Sequence, residues 1–445
     1  MRLLSLFVVA VAMVVSLTAG IPVYGAIIQA QDSSGVLQLN NLISEALDHN
    51  ESLNAARLHA KAKRAVPPQV STLPDPVIGV SYQPFPIYTA RGFQRFQIRL
   101  EQEIPFPGKL ELRKSIAEYS AAMAEYDVGI ADRLLVYQVK VSYYELYRIQ
   151  EQFDVIKEFR IQLSDLVTST TARYKVGEGN QQDILKAQLE RNKLDELELE
   201  LMQRQLSESE SLARLLNRGD GAELVAGAFS IEKQAEDSTN ADSRSLKLEQ
   251  RPELLAQKTA LLRSEADIRL AEKMFLPDFT VGVNYYDIGA SDLTPTMTGR
   301  NALGIQLKVK LPLWRSGLTA RLTESRVRIQ ENDALLRDLQ IEISTQGNRA
   351  AGQFELEKGT LQLYEKTLIP QAQMSLQASL SAYATGQADF MNLLDAERVL
   401  FSLRMSFLDS VSRTLRFSAA LDWALGNPIP SGGNAPDNNA SGDEN

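Results

Sequence analysis

The sequence holds no cysteine and only two histidines in 445 residues. Without cysteine there can be no disulfide, thiolate nucleophile, sulfur-ligated metal or cysteine-linked lipid anchor. His49 and His59 fall on one predicted helix, ten residues apart. That is about 15 Å along the axis, too far to chelate one ion. A basic surplus is missing too: the formal net charge is −9, and no stripe of Lys and Arg interrupts it. Phosphate backbones need concentrated cations, so no nucleic-acid partner is expected. The sequence lacks a zinc-protease helix motif, a phosphate loop and a Ser/His/Asp set. Gly177-x-Gly179 has no third glycine and follows a helix, not a strand. The Asn50-Glu51-Ser52 match to a glycosylation acceptor is chance. No enzyme, no cofactor and no metal site is expected.

Long apolar runs are also scarce. The single one is N-terminal: Arg2, then Leu3 to Leu17, then small residues at Ala19, Gly20, Gly25 and Ala26. This reads as a secretory signal over residues 1–26, with cleavage between Gly25 and Ala30. A transmembrane anchor is the other reading, though the apolar core is short for a span. Elsewhere no stretch approaches 18 uninterrupted apolar residues, so no transmembrane helix is expected in the exported chain. Residues 427–445 are Pro, Gly, Asn, Ser and acid, the composition of a disordered tail.

What is present is a duplication. Leu73-Pro74-Asp75 recurs as Leu276-Pro277-Asp278, an offset of 276 − 73 = 203, and Gly79 and Tyr82 match Gly282 and Tyr285 at the same offset. Ile104-Pro105-Phe106 recurs as Leu311-Pro312-Leu313 at 207. Tyr174-Lys175-Val176-Gly177 recurs as Tyr383-Ala384-Thr385-Gly386 at 209, as do Leu185 and Ala187 at Leu394 and Ala396. The order never changes and the offset grows only at loops. The plan is a first repeat over 27–217 (strands about 75–104, long helices about 109–217), a linker over 218–250, and a second repeat over 251–426 (strands about 278–312, helices about 316–425).

Each repeat opens with a helix, about Leu39–Lys63 and then Pro252–Lys273. A strand pair and two long helices follow. From Lys109 to Val176 there is one glycine, Gly129, and no proline. Roughly 65 helical residues reach about 100 Å, wider than one globular core. Leu194, Leu197 and Leu201, and Leu400, Leu403, Phe407, Val411 and Leu415, form seams of coiled-coil type. Pro370 should kink the second repeat where its counterpart, Ile161, does not.

The strands alternate apolar and polar residues. Phe96 to Glu101 and Leu303 to Leu311 do so strictly, and Val281, Val283 and Tyr285 alternate with Thr280, Gly282 and Asn284. The Val77–Tyr82 strand is weaker. Lengths of about 8–11 residues span an outer membrane when tilted. Tyr82, Phe85, Tyr88, Phe93 and Tyr286 crowd the hairpin ends, as interfacial girdles do. Two hairpins in a soluble α+β domain remain the alternative. A spanning sheet must close on itself, and bacterial barrels need about eight strands. Four strands per chain would therefore require an oligomer, with Gln97, Arg99, Glu101, Gln306, Lys308 and Lys310 lining a wet lumen.

From Leu39 to Gly426 these landmarks resemble the TolC-like outer-membrane efflux proteins. The Leu-Pro-Asp before each hairpin, Pro105–Lys109, and Tyr-x-x-Gly followed by Leu-x-Ala carry the resemblance. It implies an α-helical barrel joined to a transmembrane β-barrel, each repeat being a helix, a β-hairpin and a long helical hairpin. Three chains would share a twelve-stranded barrel in outer-membrane lipid and a twelve-helix periplasmic tunnel, with Arg218–Gln250 partly in a belt around its waist. The turns at Tyr174–Asp183 and Tyr383–Asp395 would be periplasmic tips, and Gly177 and Gly386 would meet a periplasmic adaptor protein. That adaptor links the channel to an inner-membrane pump, of RND type or alternatively ABC type. The resemblance places a gate at Asn392 and Asp395, so one acidic ring remains where members can carry two. It also implies a tie between Tyr383 and Asp183, while Ala388 stands where a companion Arg can be. Gly108-Lys109, with Glu103 and Pro105, looks like the metal-cation branch. The implied function is a passive conduit for small molecules or metal cations. An outer-membrane channel for type I protein secretion and a soluble periplasmic coiled-coil protein are the alternatives.

Overall fold

A computed structural model describes residues 38–89, 92–219, 249–290 and 299–426. The expected signal, nearly all of the linker and the tail lie outside the described residues. The chain begins with three short helices, α1 (Leu39–His49), α2 (Glu51–Arg64) and α3 (Val66–Ser71). A hairpin of β1 (Val77–Thr89) and β2 (Gly92–Ile104) leads into α4 (Lys109–Lys175) and α5 (Gln181–Leu215). The second half repeats this as α6 (Pro252–Lys273), β3 (Asp278–Gly289), β4 (Ala302–Lys310), α7 (Arg315–Leu363), α8 (Ile369–Ala384) and α9 (Phe390–Leu425).

The single opening helix expected over Leu39–Lys63 is broken. Asn50 leaves the helical region (ψ 120°) and caps α2, its Oδ1 accepting from the Leu53 amide at 3.0 Å. Its Nδ2 donates to the Leu215 carbonyl at 2.9 Å, pinning this break to the end of α5. The second repeat has the same arrangement with different chemistry. Arg251 caps the start of α6, is 2% exposed, and donates from Nη1 to the Ala424 carbonyl at 2.9 Å. Each repeat thus ties its first helix to the last turn of its final one.

Helix α4 runs unbroken for 67 residues, about 100 Å of rise. Its one glycine, Gly129, lies against α6: a Cβ there would meet Pro252 Cγ at 3.3 Å. One core gathers Leu42, Ile43, Val139, Tyr144, Leu212 and Leu415 from α1, α4, α5 and α9. A second packs Ile156, Leu163, Leu194 and Leu201 with Phe390 and Leu394. Of the stripes read from the sequence, Leu194, Leu197 and Leu201 lie in the second core and Phe407, Val411 and Leu415 in the first, while Leu400 and Leu403 pack with Ala372, Leu376 and Leu393 in another.

Pro370 does interrupt the second repeat, as one π turn over Tyr364–Leu368. Pro370 has no N–H to donate one turn back. The helix widens just before it, and Ile369 N donates to the Tyr364 carbonyl five residues back. At Ile161, α4 continues without interruption.

The four strands form one antiparallel sheet in the order β1-β2-β3-β4. At 13 residues each, β1 and β2 exceed the expected length. The register of β1 against β2 shifts between Tyr82 and Ile87, where Pro84 and Pro86 cannot donate to the ladder.

Candidate functional site

The register sorts the sheet into rows. Ile78, Leu100, Val283 and Ile305 stand side by side across all four strands, and Val80, Ile98, Tyr285 and Leu303 form the next row on that face. Among the described residues nothing covers these rows: Ile78 is 70% exposed, Val80 64%, Leu303 72% and Ile305 84%. A contiguous apolar face of this kind is rare on a monomeric soluble protein.

The opposite face is a hydrogen-bonded polar network. Asn284 is buried at its centre, with Oδ1 accepting from Arg99 Nε at 3.1 Å and Gln97 Nε2 at 3.3 Å. Its Nδ2 reaches Gln306 Oε1 at 3.4 Å. Glu101 takes Lys308 at 2.6 Å and Arg99 at 3.3 Å. The polar residues expected to share a face do share one. Asn284, which joins them, was visible in the sequence only as a polar position in an alternating strand. Neither β1 nor β4 has a second neighbour among the described residues, so both sheet edges are open.

Where the sheet meets the helices, Lys109 opens α4 with its side chain 5% exposed. Its Nζ bonds Asp278 Oδ1 at 2.7 Å and the Leu276 carbonyl at 3.0 Å, and the Phe106 amide donates to the same Asp278 oxygen at 2.8 Å. The second Leu-Pro-Asp landmark is therefore the receptor for the end of the first hairpin.

At the far ends of the helices the two turns have one geometry. Gly177 (φ +82°) donates to the Tyr174 carbonyl at 3.0 Å, and Glu178 N donates to the Arg173 carbonyl at 2.9 Å. Gly386 (φ +73°) donates to Tyr383 at 3.2 Å, and Gln387 N to Ala382 at 2.8 Å. Both are Schellman motifs, in which the residue after the cap must be left-handed and glycine is favoured. The Tyr-x-x-Gly landmark is the sequence trace of that motif.

Asp183 and Asn392 both occupy the third position of a returning helix. Asn392 is exposed, and its amide donates to the capping Asp389 at 3.0 Å. Asp395 is exposed one turn further on, beside Arg398, whose guanidinium pairs with Glu190 on α5. Burial pushes Glu190 up, but its bonds to Arg398 and Lys193 outweigh that and hold it below the usual carboxylate range. Tyr383 is packed between the helices. Its ring lies edge-on to Phe390 at 6.1 Å and under the Arg173 guanidinium at 4.5 Å. Arg173 Nη1 also donates to the Tyr383 carbonyl at 3.1 Å. Among the described residues no hydrogen bond joins Tyr383 to Asp183 within the chain. Arg173 escaped sequence reasoning because its counterpart in the second repeat is Ala382.

Among the described residues no cluster of His, Asp or Glu could hold a metal ion, and no helix is long and apolar enough to cross a membrane. Residues 244–427 match the family model described as outer membrane efflux protein. The cobalt-zinc-cadmium resistance protein CzcC of Cupriavidus metallidurans is 22% identical over 410 residues, 92% of this chain and 93% of that one. Among solved structures, CusC superposes with a TM-score of 0.75 at 19% identity, covering 87% of this chain and 92% of that one. The outer membrane protein VceC of Vibrio cholerae gives 0.73 at 20% identity, covering 87% and 96%. These likenesses establish the fold as that of the TolC-like channels.

Proposed function

We propose that this chain, whose residues 244–427 match the outer membrane efflux protein family model, is one protomer of a trimeric outer-membrane channel reaching into the periplasm. The observation that carries this reading is the two-faced sheet. Its outward rows are apolar and uncovered, its other face is a satisfied polar network, and both its edges are open. Lipid on the apolar face and water on the polar one account for both. Open edges in lipid are not tolerated, so four strands need further copies to close a barrel.

The long helices then form the periplasmic tunnel, and the paired Schellman turns at Gly177 and Gly386 present its tips to an adaptor. An inner-membrane pump, of RND type, would supply the driving force. The exposed Asn392 and Asp395 lie where they can face the tunnel mouth, with Tyr383 and Asp183 beside it. The chain would be a conduit and not an enzyme. The named relative acts in cobalt, zinc and cadmium resistance, and the cargo proposed here is metal cations or other small solutes.

Two measurements test this. Membrane fractionation should leave the protein in the outer membrane through high-salt and carbonate washes. Deleting the gene should sensitise cells in a panel of metals, dyes and antibiotics. A protein that washes off without detergent would refute the channel reading. An unchanged panel together with a secretion defect would move the function to protein export.

A further inference from the structure

Resting on that reading, we infer that the chain closes its barrel by seating β4 against β1 of a second copy in one particular register, locked by an ion pair between Arg315 and Asp75 of that copy. The repeat itself supplies the template. Within the chain, β2 ends the first hairpin and pairs with β3, which begins the second. Among the described residues, strand β4 ends the second hairpin and has no neighbour after it, and β1 begins the first and has none before it. The offsets carry one interface onto the other: β2 maps to β4 by 312 − 105 = 207, and β3 maps to β1 by 276 − 73 = 203.

The observed pairs are Gln102 with Val281, Leu100 with Val283 and Ile98 with Tyr285. They translate to Val309 with Ile78, Leu307 with Val80 and Ile305 with Tyr82. Every translated pair is apolar and lies on the uncovered face. A slip of one residue would set that face against the polar one.

Exposure at the junctions singles out the same partner. Lys109 is buried, its Nζ held by the Leu276 carbonyl and Asp278. The junction after β4 has no such cover: Leu313 is 71% exposed, Trp314 89%, and Arg315 is exposed. In the counterpart of the cover, Leu73-Pro74-Asp75, the Pro74 carbonyl accepts from Gln102 at 2.7 Å, while Leu73 is 51% exposed and Asp75 is exposed. Lys109 and Arg315 are each the first residue of the helix after a hairpin, and Arg315 stands one residue before Ser316, the position the strand offset gives for Lys109 (109 + 207 = 316). A cation there opposes the helix dipole unless an anion accompanies it. Lys109 has Asp278. Among the described residues Arg315 has no ion pair, nor does Asp75, which sits at 278 − 203 = 75.

The lack of native cysteine makes the register directly readable. Full-length chain carrying Ile78→Cys and Val309→Cys, oxidised with copper phenanthroline in outer membranes, should run as reductant-sensitive covalent oligomers. The pair Val80→Cys and Val309→Cys reports a slip of two and should cross-link far less. Preferential linking of the second pair, or none from either in a protein that still migrates as an oligomer, would overturn the register. A protein that is monomeric in mild detergent would overturn the shared barrel itself. Separately, Asp75→Lys and Arg315→Glu should each lower the temperature at which the oligomer dissociates in SDS, and the double exchange should recover most of the loss. Losses that simply add would overturn the ion pair.

Discussion

Asp183 and Asn392 occupy equivalent stations on the two tips, each three residues into a returning helix. An acid there complements the helix dipole, and an amide does not. The tips therefore share a backbone and differ in charge. Among the described residues no bond joins Tyr383 to Asp183 within the chain, so a tie between them would cross between copies. Removing the Tyr383 hydroxyl should leave protomer stability within about 0.5 kcal/mol, because Phe390 and Arg173 hold the ring and not the hydroxyl. Tyr383→Phe should nonetheless raise the closed-state conductance in planar bilayers. An unchanged closed level would count against the tie.

Glu397 on α9 is 7% exposed, and its Oε2 has no hydrogen-bond partner. Burial pushes its carboxyl above the ordinary range, with Arg404 pulling partly the other way. A raised folded value means the folded state binds the proton more tightly. This contribution is favourable below the ordinary carboxylate pKa and is lost as pH rises through the folded value. Glu397→Gln should raise stability near neutral pH by about 1 kcal/mol and change little near about pH 4. Chemical-unfolding midpoints across pH would check this.

Arg148 shows the opposite sign. It is 9% exposed, bonds Gln152 and Asp409 at 2.9 Å each, and pairs with Glu145. Burial pushes Glu145 up, but the Arg148 bond and charge, with Arg416 and Ser412, win and hold it below its ordinary value. That stabilisation is present above the ordinary carboxylate pKa and lost as pH falls through the folded value. Arg148→Met removes the shared partner of two half-buried carboxylates, Glu145 and Asp409, and should cost about 1–3 kcal/mol at neutral pH. The deficit should shrink in acid. A deficit independent of pH would point to lost packing instead.

Arg251→Met should destabilise the fold by about 3–5 kcal/mol and so lower the yield of folded protein, because both Glu253 and the Ala424 carbonyl lose their partner. Arg251→Lys should recover little, since an ammonium cannot make the two-pronged bond to Glu253 and reach Ala424 together. Heat-modified migration of the outer-membrane fraction is the readout. A lysine variant with full yield would contradict this account.

The duplication, strand alternation and leucine seams were all legible, because each repeats a local signal at fixed spacing. The break at Asn50 was not: helical periodicity runs on through α1 and α2, and only the distant Leu215 carbonyl gives Asn50 its second role. The tip glycines were found as a motif, and the left-handed backbone at Gly177 and Gly386 explains why they recur. Arg173, Asn284 and Arg251 were missed because their partners lie far away in sequence and their counterparts in the other repeat differ. Pro370 was read as a kink; its resolution as a π turn depends on how the preceding carbonyls share donors.

The ties from Asn50 to Leu215 and from Arg251 to Ala424 close spans of 165 and 173 residues. Loop-closure cost grows only with the logarithm of length, so these two closures are nearly equal in entropy. Each half of the polypeptide begins and ends at the same place. The first can shut on itself before the second has crossed into the periplasm, so that assembly can proceed in two like instalments.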